Sequence, residues 1–329
     1  MEIRALITGT GSYLPEKVLT NEDLEKLVDT SDEWIVKRTG IKTRRIADDD
    51  ETTSDMAARA AEQALSNAGV DAKEVDLIIM GTFTGDRPLP ATACILQHKI
   101  GAVNAGAFDL AAACSGFVYA MSCAWGFIKS GIYKTILVLG AEKLTAFTDY
   151  TDRTSCILFG DGAGAAVVQA DTSAGDRGIL SCHLGADGSG ADLMTIYAGG
   201  SELVTTEETL AERRQYMTIQ GREVFKFAAN KMKEEVALTV ERCGLSMDDI
   251  KLVVPHQVNT RILDFAAAKL RLPTEKMYTN IDRVANTSAA SVPIALDEAN
   301  AKGLLVPGDV VVLVGFGGGL TWASMALRW

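Results

Sequence analysis

Residues 69–79 read GVDAKEVDLII, and residues 244–254 follow the same pattern with GLSMDDIKLVV. Each stretch starts at a glycine that ends a helix, passes through a short acidic turn and closes on an apolar run typical of a buried strand. A second pair of matching stretches follows, in which Gly131 and Gly303 each precede an apolar run. Helices and buried strands that alternate in this way, twice over, predict two α/β halves whose mainly parallel or mixed sheets share one core.

The repeat also pairs two polar residues. The spacing that separates Gly131 from Gly303 also separates Cys114 from Asn286, so the cysteine and the asparagine occupy matching turns of the two halves. We expect the boundary between the halves near residues 170–175. The N-terminal half, residues 1–172, then carries the cysteine, and the C-terminal half, residues 173–329, carries the asparagine.

Cys114 is the candidate nucleophile. It lies in FDLAAACSGF, residues 108–117, where a strand-like stretch runs into a helix start made of small residues. Free backbone N–H groups and the helix dipole at such a turn favour the thiolate, which is the form that attacks a carbonyl carbon. A buried structural cysteine is the alternative interpretation for any single cysteine.

The chain offers three histidines as partners for the thiol. His98 lies beside Lys99 in a helical pattern and is most simply a surface residue, and His183 has the alternation of an ordinary strand position. His256 follows the apolar run 250–254 and precedes a helical pattern, and such strand-to-helix turns favour catalytic groups. Asn286 lies in VANTSAAS, residues 284–291, and taken alone it would be a plain helix N-cap.

Composition limits the class of protein. The chain has 329 residues, of which 47% are hydrophobic and 23% charged, as in ordinary globular proteins. It has no apolar run long enough to span a membrane and no basic signal peptide, so we expect a cytoplasmic protein. A net charge of −11 argues against nucleic-acid binding. The six cysteines lack a CxxC pair or metal-ligand spacing, which predicts free thiols and no metal site.

Three further stretches carry less information about chemistry. Residues 198–215, with Gly199-Gly200 and several glutamates, predict an inserted surface loop or short helix of little catalytic weight. The glycine-rich stretches 159–164 and 316–319 lack both the P-loop lysine and the strand–GxGxxG–helix context of a dinucleotide site. We therefore expect no nucleotide cofactor.

Several motifs occur in order along nearly the whole chain: GTGSYLP (9–15), TSDEWI (30–35), RTGI (38–41), CSGF (114–117), FGDGAG (159–164), His256-Gln257 with Asn259, NTSAASVP (286–293) and FGGG (316–319). Together they resemble the β-ketoacyl-acyl carrier protein synthase III family, the initiating condensing enzymes of the thiolase superfamily. The resemblance implies a five-layered αβαβα thiolase-like fold built from the two duplicated halves, a homodimer, and a reaction without metal or cofactor.

The resemblance also implies roles in one pocket. Cys114 would attack an acyl-CoA thioester while the backbone N–H groups of Cys114 and Gly318 form the oxyanion hole. Malonyl-acyl carrier protein would then lose CO₂, and the enolate oxygen would accept hydrogen bonds from His256 Nε2 and the Asn286 amide. The carbon nucleophile would attack the acyl-Cys114 and release a β-ketoacyl-acyl carrier protein, which initiates fatty acid biosynthesis. Chain-elongating synthases resemble a Cys-His-His arrangement, against which Asn286 argues.

Substrate-binding residues follow from the same resemblance. The implied CoA-binding residues are Thr30, Trp34, Arg38, Arg153 and Asn259, and the implied contacts for the acidic carrier protein are Lys226 and Arg261, with Arg222, Lys231 and Lys233 in the same stretch. The alternatives are a core tryptophan for Trp34 and a solvated helix face for the lysines. Leu89 stands where a bulky aromatic often closes the acyl pocket from the partner subunit, so we expect a gate that admits more than acetyl.

Two positions depart from the pattern of the family. Ala285 replaces the usual glycine before the asparagine, and Val258 replaces the usual alanine after His256-Gln257. Both substitutions bear on the width of the pocket and on the placement of Asn286.

The residue types also fit three different proteins. A Cys-His-Asn hydrolase uses the same side chains but would hydrolyse the thioester instead of condensing it. A catalytically idle member of the fold would bind without reacting, although the presence of all three pocket residues speaks against it. A condensing enzyme of a specialised polyketide or quinolone pathway would carry out the same chemistry in another context.

Overall fold

Strands and helices alternate along residues 3–329, the part of the chain that the computed structural model describes. The strands are β1 (Arg4–Tyr13), β2 (Lys17–Thr20), β3 (Thr43–Ile46), β4 (Leu77–Gly81), β5 (Gly106–Leu110), β6 (Thr135–Glu142), β7 (Gly162–Asp171), β8 (Gly178–Ala186), β9 (Met194–Thr195), β10 (Thr218–Ile219), β11 (Ile250–Pro255), β12 (Val310–Gly317) and β13 (Thr321–Arg328). The α-helices are α1 (Asn21–Glu25), α2 (Asp32–Thr39), α3 (Thr53–Ala68), α4 (Thr92–Lys99), α5 (Gly116–Lys129), α6 (Glu207–Ala211), α7 (Gly221–Arg242), α8 (Thr260–Leu270), α9 (Ile281–Val284) and α10 (Ser291–Ala301).

Two mixed sheets form the centre of the molecule. The first has the order β1-β7-β6-β4-β5, and the second has the order β8-β13-β12-β11. In the first sheet β5, β4 and β6 run parallel, and in the second sheet β11 and β12 run parallel. The strands beyond β6 and β12 are antiparallel to their neighbours. A parallel bridge between Val253 and Met277 stands where the second sheet would have its counterpart of β5. The predicted α/β class is confirmed.

The layers follow from the alternation of side chains along the strands. Ile79 and Val138 pack with α5 and α10 between the two sheets, whereas their neighbours Ile78 and Leu137 pack against α3 on the outer face. In the second sheet Val254 faces the shared interior and Val253 faces α7 and α8. Helices therefore form three layers, one between the two sheets and one on the outer face of each sheet. The predicted five-layered αβαβα fold is confirmed.

The chain passes from the first sheet to the second between Asp171 and Gly178. We propose that the predicted division into residues 1–172 and 173–329 lies in this connection, because the two strand orders correspond on either side of it.

Membrane-spanning helices and metal clusters are both absent from the described residues. Within residues 3–329, none of the helices combines the length and apolar character that crossing a bilayer requires. The same part of the chain holds no group of three or more His, Cys, Asp or Glu side chains placed to bind a metal ion. All six cysteines are free thiols.

Candidate active site

Cys114 lies at a tight turn between a strand and a helix. After β5 the chain makes one 3₁₀ turn, Ala113–Ser115, and enters α5 at Gly116. Ala113 has a φ of 46°, a conformation that costs free energy for a residue with a side chain. The turn packs so closely against β12 that a Cβ on Gly317 would come within 2.5 Å of the Cys114 backbone nitrogen. The close packing holds the strained turn and leaves Cys114 only 4% exposed.

Burial dominates the acidity of the thiol. It raises the pKa of Cys114 to about 12, although hydrogen bonds from the Ser288 side chain and from the backbone lower it. The backbone effect that the sequence predicted is present, but desolvation of the thiolate outweighs it. Burial therefore favours the thiol over the thiolate form of Cys114, so its proton must leave before the sulfur can act as a nucleophile.

His256 occupies the end of β11. Its backbone nitrogen donates to Val314 of β12 at 2.7 Å, and its ring lies edge-on to Phe316 with the centroids 5.5 Å apart. Burial lowers its pKa to about 3, so the ring is neutral. His98 is exposed on α4, and His183 bonds to Glu235 at 2.8 Å on β8, as expected for a surface and a strand position.

The tautomer of His256 follows from its partner Ser291. His256 Nδ1 and Ser291 Oγ are 2.7 Å apart, and the same hydroxyl oxygen accepts from the Gln257 backbone N–H at 3.2 Å. If Ser291 donates to Nδ1, its hydroxyl hydrogen is paired, whereas the other tautomer would leave that hydrogen without an acceptor among the described contacts. We therefore assign the ring proton to Nε2, which makes His256 a hydrogen-bond donor on its free side.

Asn286 is held in place by hydrogen bonds of its own backbone. Its N–H donates to Leu158 and its carbonyl oxygen accepts from Gly160, both at 3.0 Å. Its side-chain Oδ1 accepts from the backbone N–H of Ser288 at 2.8 Å, so the amide caps a 3₁₀ turn and keeps Nδ2 for another acceptor. Ala285 adopts φ 63° and ψ −160°, a region that favours glycine. Alanine in place of the usual glycine of the family is therefore strained at this position.

Two cavities meet at these residues. One, of about 660 Å³, has Cys114, Ser288 and Gly318 in its wall. The other, of about 760 Å³, reaches Asn286 at one end and the protein surface at the other. Phe159 and Met194 line both, so the cavities adjoin. His256 is 1% exposed and lies next to β12.

Most of the implied CoA-binding residues line the larger cavity. Trp34 is held between two guanidinium groups, with Arg38 at 4.6 Å and Arg153 at 4.7 Å from its ring. Asn259 lies in the same wall, where Oδ1 caps α8 through the Arg261 N–H and Nδ2 donates to the Arg38 carbonyl at 2.7 Å. Its amide is committed to positioning these neighbours.

Thr30 does not line either cavity among the described residues, and its buried Oγ1 has no hydrogen-bond partner there. Thr30 directly precedes Ser31, the N-cap of α2, the helix that carries Trp34 and Arg38.

The mouth of the larger cavity is basic. Arg222, Lys226 and Arg261 line it from α7 and α8, and the Arg261 guanidinium lies 5.4 Å from the Phe225 ring. Lys231 and Lys233 do not line this cavity; Lys231 lies 4.3 Å from the Trp322 ring and pairs with Glu234. Of the basic residues of α7, Arg222 and Lys226 thus line the cavity, whereas Lys231 and Lys233 do not.

The segment 198–215 contributes more to the site than its sequence indicates. It contains the expected short helix, α6, but Ala198, Gly199 and Gly200 line the cavity of Cys114 together with Met194 and Met217. The loop folds back because Ala198 N donates to Arg214 O at 3.0 Å. Sequence patterns miss this because a polar, glycine-rich surface stretch gives no sign of which side its backbone turns inward.

Sequence patterns also miss Ser288, Ser291 and Glu142 as members of the site. The only available signal is the three-residue spacing of the two serines inside NTSAAS, which places both on one side of a helical turn. Leu89 is 84% exposed on the loop between β4 and α4 and lies outside both cavities of the single chain.

Comparison with known proteins decides the family. The sequence profile described as 3-oxoacyl-[acyl-carrier-protein (ACP)] synthase III matches residues 108–188, and the profile for the C-terminal part of the same enzyme matches residues 240–329. The chain belongs to the 3-oxoacyl-[acyl-carrier-protein] synthase III family. As a member it is a condensing acyltransferase, and the resemblance seen in the motifs is confirmed.

Individual relatives cover the full length. The chain is 51% identical to the beta-ketoacyl-[acyl-carrier-protein] synthase III of Caldanaerobacter subterraneus subsp. tengcongensis, over 100% of this chain and 98% of the relative. The crystal structure of 3-oxoacyl-[acyl-carrier-protein] synthase III from Aquifex aeolicus superimposes with a TM-score of 0.91 and 46% identity, covering 99% and 100% of the two chains. The priming beta-ketosynthase of the R1128 polyketide pathway superimposes with a TM-score of 0.92 at 35% identity, covering 99% and 97%.

Proposed function

We propose that this synthase III transfers an acyl group from acyl-CoA to Cys114 and condenses it with malonyl-acyl carrier protein, the first condensation of fatty acid biosynthesis. The observation that carries the proposal is the orientation of Asn286, whose Oδ1 is bound by Ser288 and whose Nδ2 is left to donate. An enolate oxygen needs such donors, whereas hydrolysis needs a base for water.

In the first half-reaction the Cys114 sulfur attacks the thioester carbon. The backbone N–H groups of Cys114 and Gly318, which lies in the wall of the same cavity, are the donors for the oxyanion. The C–S bond to CoA breaks, and the acyl group stays on Cys114. Leu144, Phe147, Met194, Ile196 and Met217 give the cavity an apolar wall for the acyl chain.

In the second half-reaction the malonyl carboxylate leaves as CO₂ and its thioester oxygen becomes an enolate. His256 Nε2–H and Asn286 Nδ2–H donate to that oxygen, each worth roughly 2.7–4 kcal/mol in a preorganised site. The enolate carbon attacks the acyl-Cys114 carbonyl, and the new β-ketoacyl group leaves on the carrier protein. Cys114 is released for the next cycle.

Delivery uses the larger cavity for both substrates in turn. Adenine would stack on the Trp34 ring once one of its two guanidinium groups moves off the ring, and the guanidinium groups suit phosphates. Lys226 and Arg261 at the mouth suit an acidic carrier protein, whose phosphopantetheine arm would enter the same cavity. Thr30, just before the helix of Trp34 and Arg38, stays a prediction.

We also propose a cytoplasmic homodimer. In the single chain β5 is an edge strand with half-buried side chains, which a second copy of the same strand would cover. Leu89 is 84% exposed and precedes this edge strand in the sequence. It is the residue that would enter the partner's acyl cavity. The likeness to a polyketide priming synthase keeps a specialised pathway as the second candidate.

Product analysis tests the proposal. The protein is incubated with acyl-CoA alone and with acyl-CoA plus malonyl-carrier protein, and intact mass of the protein and of the carrier is recorded. We expect a stable acyl adduct on Cys114 in the first case and a β-ketoacyl carrier in the second. Free fatty acid without carrier product would instead identify a hydrolase.

A further inference from the structure

Ser288 contacts three functional groups at once. Its backbone N–H holds Asn286 Oδ1, its hydroxyl lies 3.3 Å from Glu142 Oε1, and its side chain lowers the pKa of Cys114, which lines the same cavity wall. Ser288 is 1% exposed and has a φ of 49°, so its position is set by the surrounding structure. A hydroxyl between a thiol and a carboxyl group can pass a proton from one to the other.

Glu142 is a buried carboxyl group at the end of β6. Its side chain is fully buried, and Oε2 accepts from the Thr82 hydroxyl and from the backbone and hydroxyl groups of Thr84. Oε1 accepts from the Ser288 hydroxyl. Oε2 is therefore fully occupied by hydrogen-bond donors, while Oε1 faces Ser288.

The charged groups around Glu142 do not neutralise it. Lys143 follows it in the chain but turns its Nζ to backbone carbonyl oxygens of Asp48 and Glu51. Asp86, on the loop after Thr84, accepts from Ser54, and Asp161 accepts from Ala47 and Thr145. The negative charge of Glu142 acts in turn on Cys114, whose pKa it raises. Without a cation, burial raises the pKa of Glu142 to about 7, in the range suited to accepting a proton near neutrality.

His256 is not available for this task. Its Nδ1 accepts from Ser291, and its Nε2 carries the proton that the enolate requires, so neither nitrogen has a free lone pair. The thiol proton of Cys114 therefore needs another acceptor.

We propose that Glu142 takes the Cys114 thiol proton through Ser288 during acyl transfer and returns it when condensation expels the Cys114 thiolate. In the first step the Cys114 S–H proton moves to Ser288 Oγ as Ser288 passes its own proton to Glu142 Oε1. The S–C bond to the acyl group forms, and CoA leaves as a thiolate. Glu142 is then neutral.

The second half-reaction restores the charge. The enolate carbon attacks the acyl-Cys114 carbonyl, and the Cys114 C–S bond breaks with its electron pair on sulfur. Ser288 gives its proton to this thiolate and receives one from Glu142. Over a full cycle the malonyl carboxylate loses its negative charge as CO₂, and Glu142 regains its own by giving up the proton. The two half-reactions therefore balance in protons at Cys114. Glu142 acts through Ser288 and is a positioning and relay residue.

Two variants break the relay and one tests rescue. Glu142→Gln keeps the shape and leaves an amide that cannot accept a proton, Ser288→Ala removes the link but keeps the backbone bond to Asn286, and Glu142→Asp keeps a carboxyl group. Asp161→Asn is the matched control, because Asp161 is equally buried and its pKa is also raised, but its contacts lead to Ala47 and Thr145.

The experiment rests on the proposed function and measures its two halves separately. Acylation of Cys114 is followed by intact mass in single turnover from pH 5 to 9, with whichever of acetyl-, isobutyryl- and hexanoyl-CoA labels the wild type fastest. CO₂ release from malonyl-carrier protein is measured on the same proteins. If no acyl-CoA labels wild-type Cys114, the proposed function fails; if the wild type is labelled, the relay alone is under test.

We expect the wild-type acylation rate to rise with pH through a step near 7, and Asp161→Asn to keep that step. Glu142→Gln and Ser288→Ala should lose the step and acylate about 10²-fold more slowly at pH 7.5 while still releasing CO₂ at a near wild-type rate. Glu142→Asp should restore the step. A retained step in Glu142→Gln overturns the relay, and so does an equal loss of acylation and CO₂ release, which would mean that Glu142 only supports the shape of the site.

Discussion

Asn286 Oδ1 accepts a 2.8 Å hydrogen bond from the backbone N–H of Ser288. Because the oxygen is occupied, only Nδ2 remains for a substrate, and Asn286 is a donor. In a Cys-His-Asn hydrolase the asparagine orients the histidine, but here His256 is oriented by Ser291. The contact thus favours stabilisation of an enolate oxygen over activation of water.

The division of labour among the three proposed catalytic residues can be separated by substitution. Cys114→Ala should abolish acylation from acyl-CoA, whereas His256→Ala and Asn286→Ala should still form acyl-enzyme and lose CO₂ release by about 10²–10³-fold. Asn286→Asp is the sharper variant, because its carboxylate keeps the oxygen for Ser288 and lacks the donor. Intact mass and CO₂ release give the two rates. Loss of acylation in the Asn286 variants would count against the assignment.

Substitution of Trp34 should affect one substrate and spare the other. The ring lies between Arg38 and Arg153, so Trp34→Ala removes the adenine platform and releases both guanidinium groups. We expect KM for acyl-CoA to rise about tenfold, which corresponds to a lost stacking contribution of about 1.4 kcal/mol, with kcat little changed. Trp34→Phe keeps an aromatic face and should recover most of the affinity. An unchanged KM in Trp34→Ala would place adenine elsewhere.

The basic cavity mouth predicts salt-dependent use of the carrier protein. Reversal of Lys226 and Arg261 to Glu should raise KM for malonyl-carrier protein, and it should flatten the rise of KM with ionic strength that the wild type shows. Reversal of Lys231 and Lys233 is the matched control, since these residues do not line the cavity. Steady-state kinetics at several salt concentrations measure both effects. If both double variants raise KM for malonyl-carrier protein equally, the effect comes from the general surface charge and not from the residues at the cavity mouth.

Leu89 connects assembly with acyl-chain selection. If this exposed residue enters the partner's acyl cavity, Leu89→Phe should shorten the acyl chain that Cys114 accepts without changing the fold. Competition among acyl-CoAs of different length, read by the mass of the Cys114 adduct, measures the preference. Light scattering on the same samples should show a dimer. An active monomer, or an unchanged chain profile in the variant, would contradict the proposal.

The strand and helix order could be predicted because periodicity reports burial directly. The runs 75–79 and 250–254 became β4 and β11, and Cys114 and His256 stand at strand ends, as their flanking patterns indicated. The direction of the thiol pKa could not be predicted this way. The local turn supplies the favourable backbone donor, but desolvation depends on how β12 and the Ser288 turn close over Cys114.

The sequence by itself predicted two α/β halves with Cys114 and Asn286 in matching turns, and it determined the family, since these depend on local patterns and on motif order. Only the tertiary structure decided that Ser288 contacts Glu142 in the cavity wall of Cys114, that Ser291 contacts the His256 ring, and that residues 198–200 line the same cavity. These are contacts between residues far apart in the chain. Their energies depend on distance, burial and hydrogen-bond direction, which arise only when the sheets and helices have packed together.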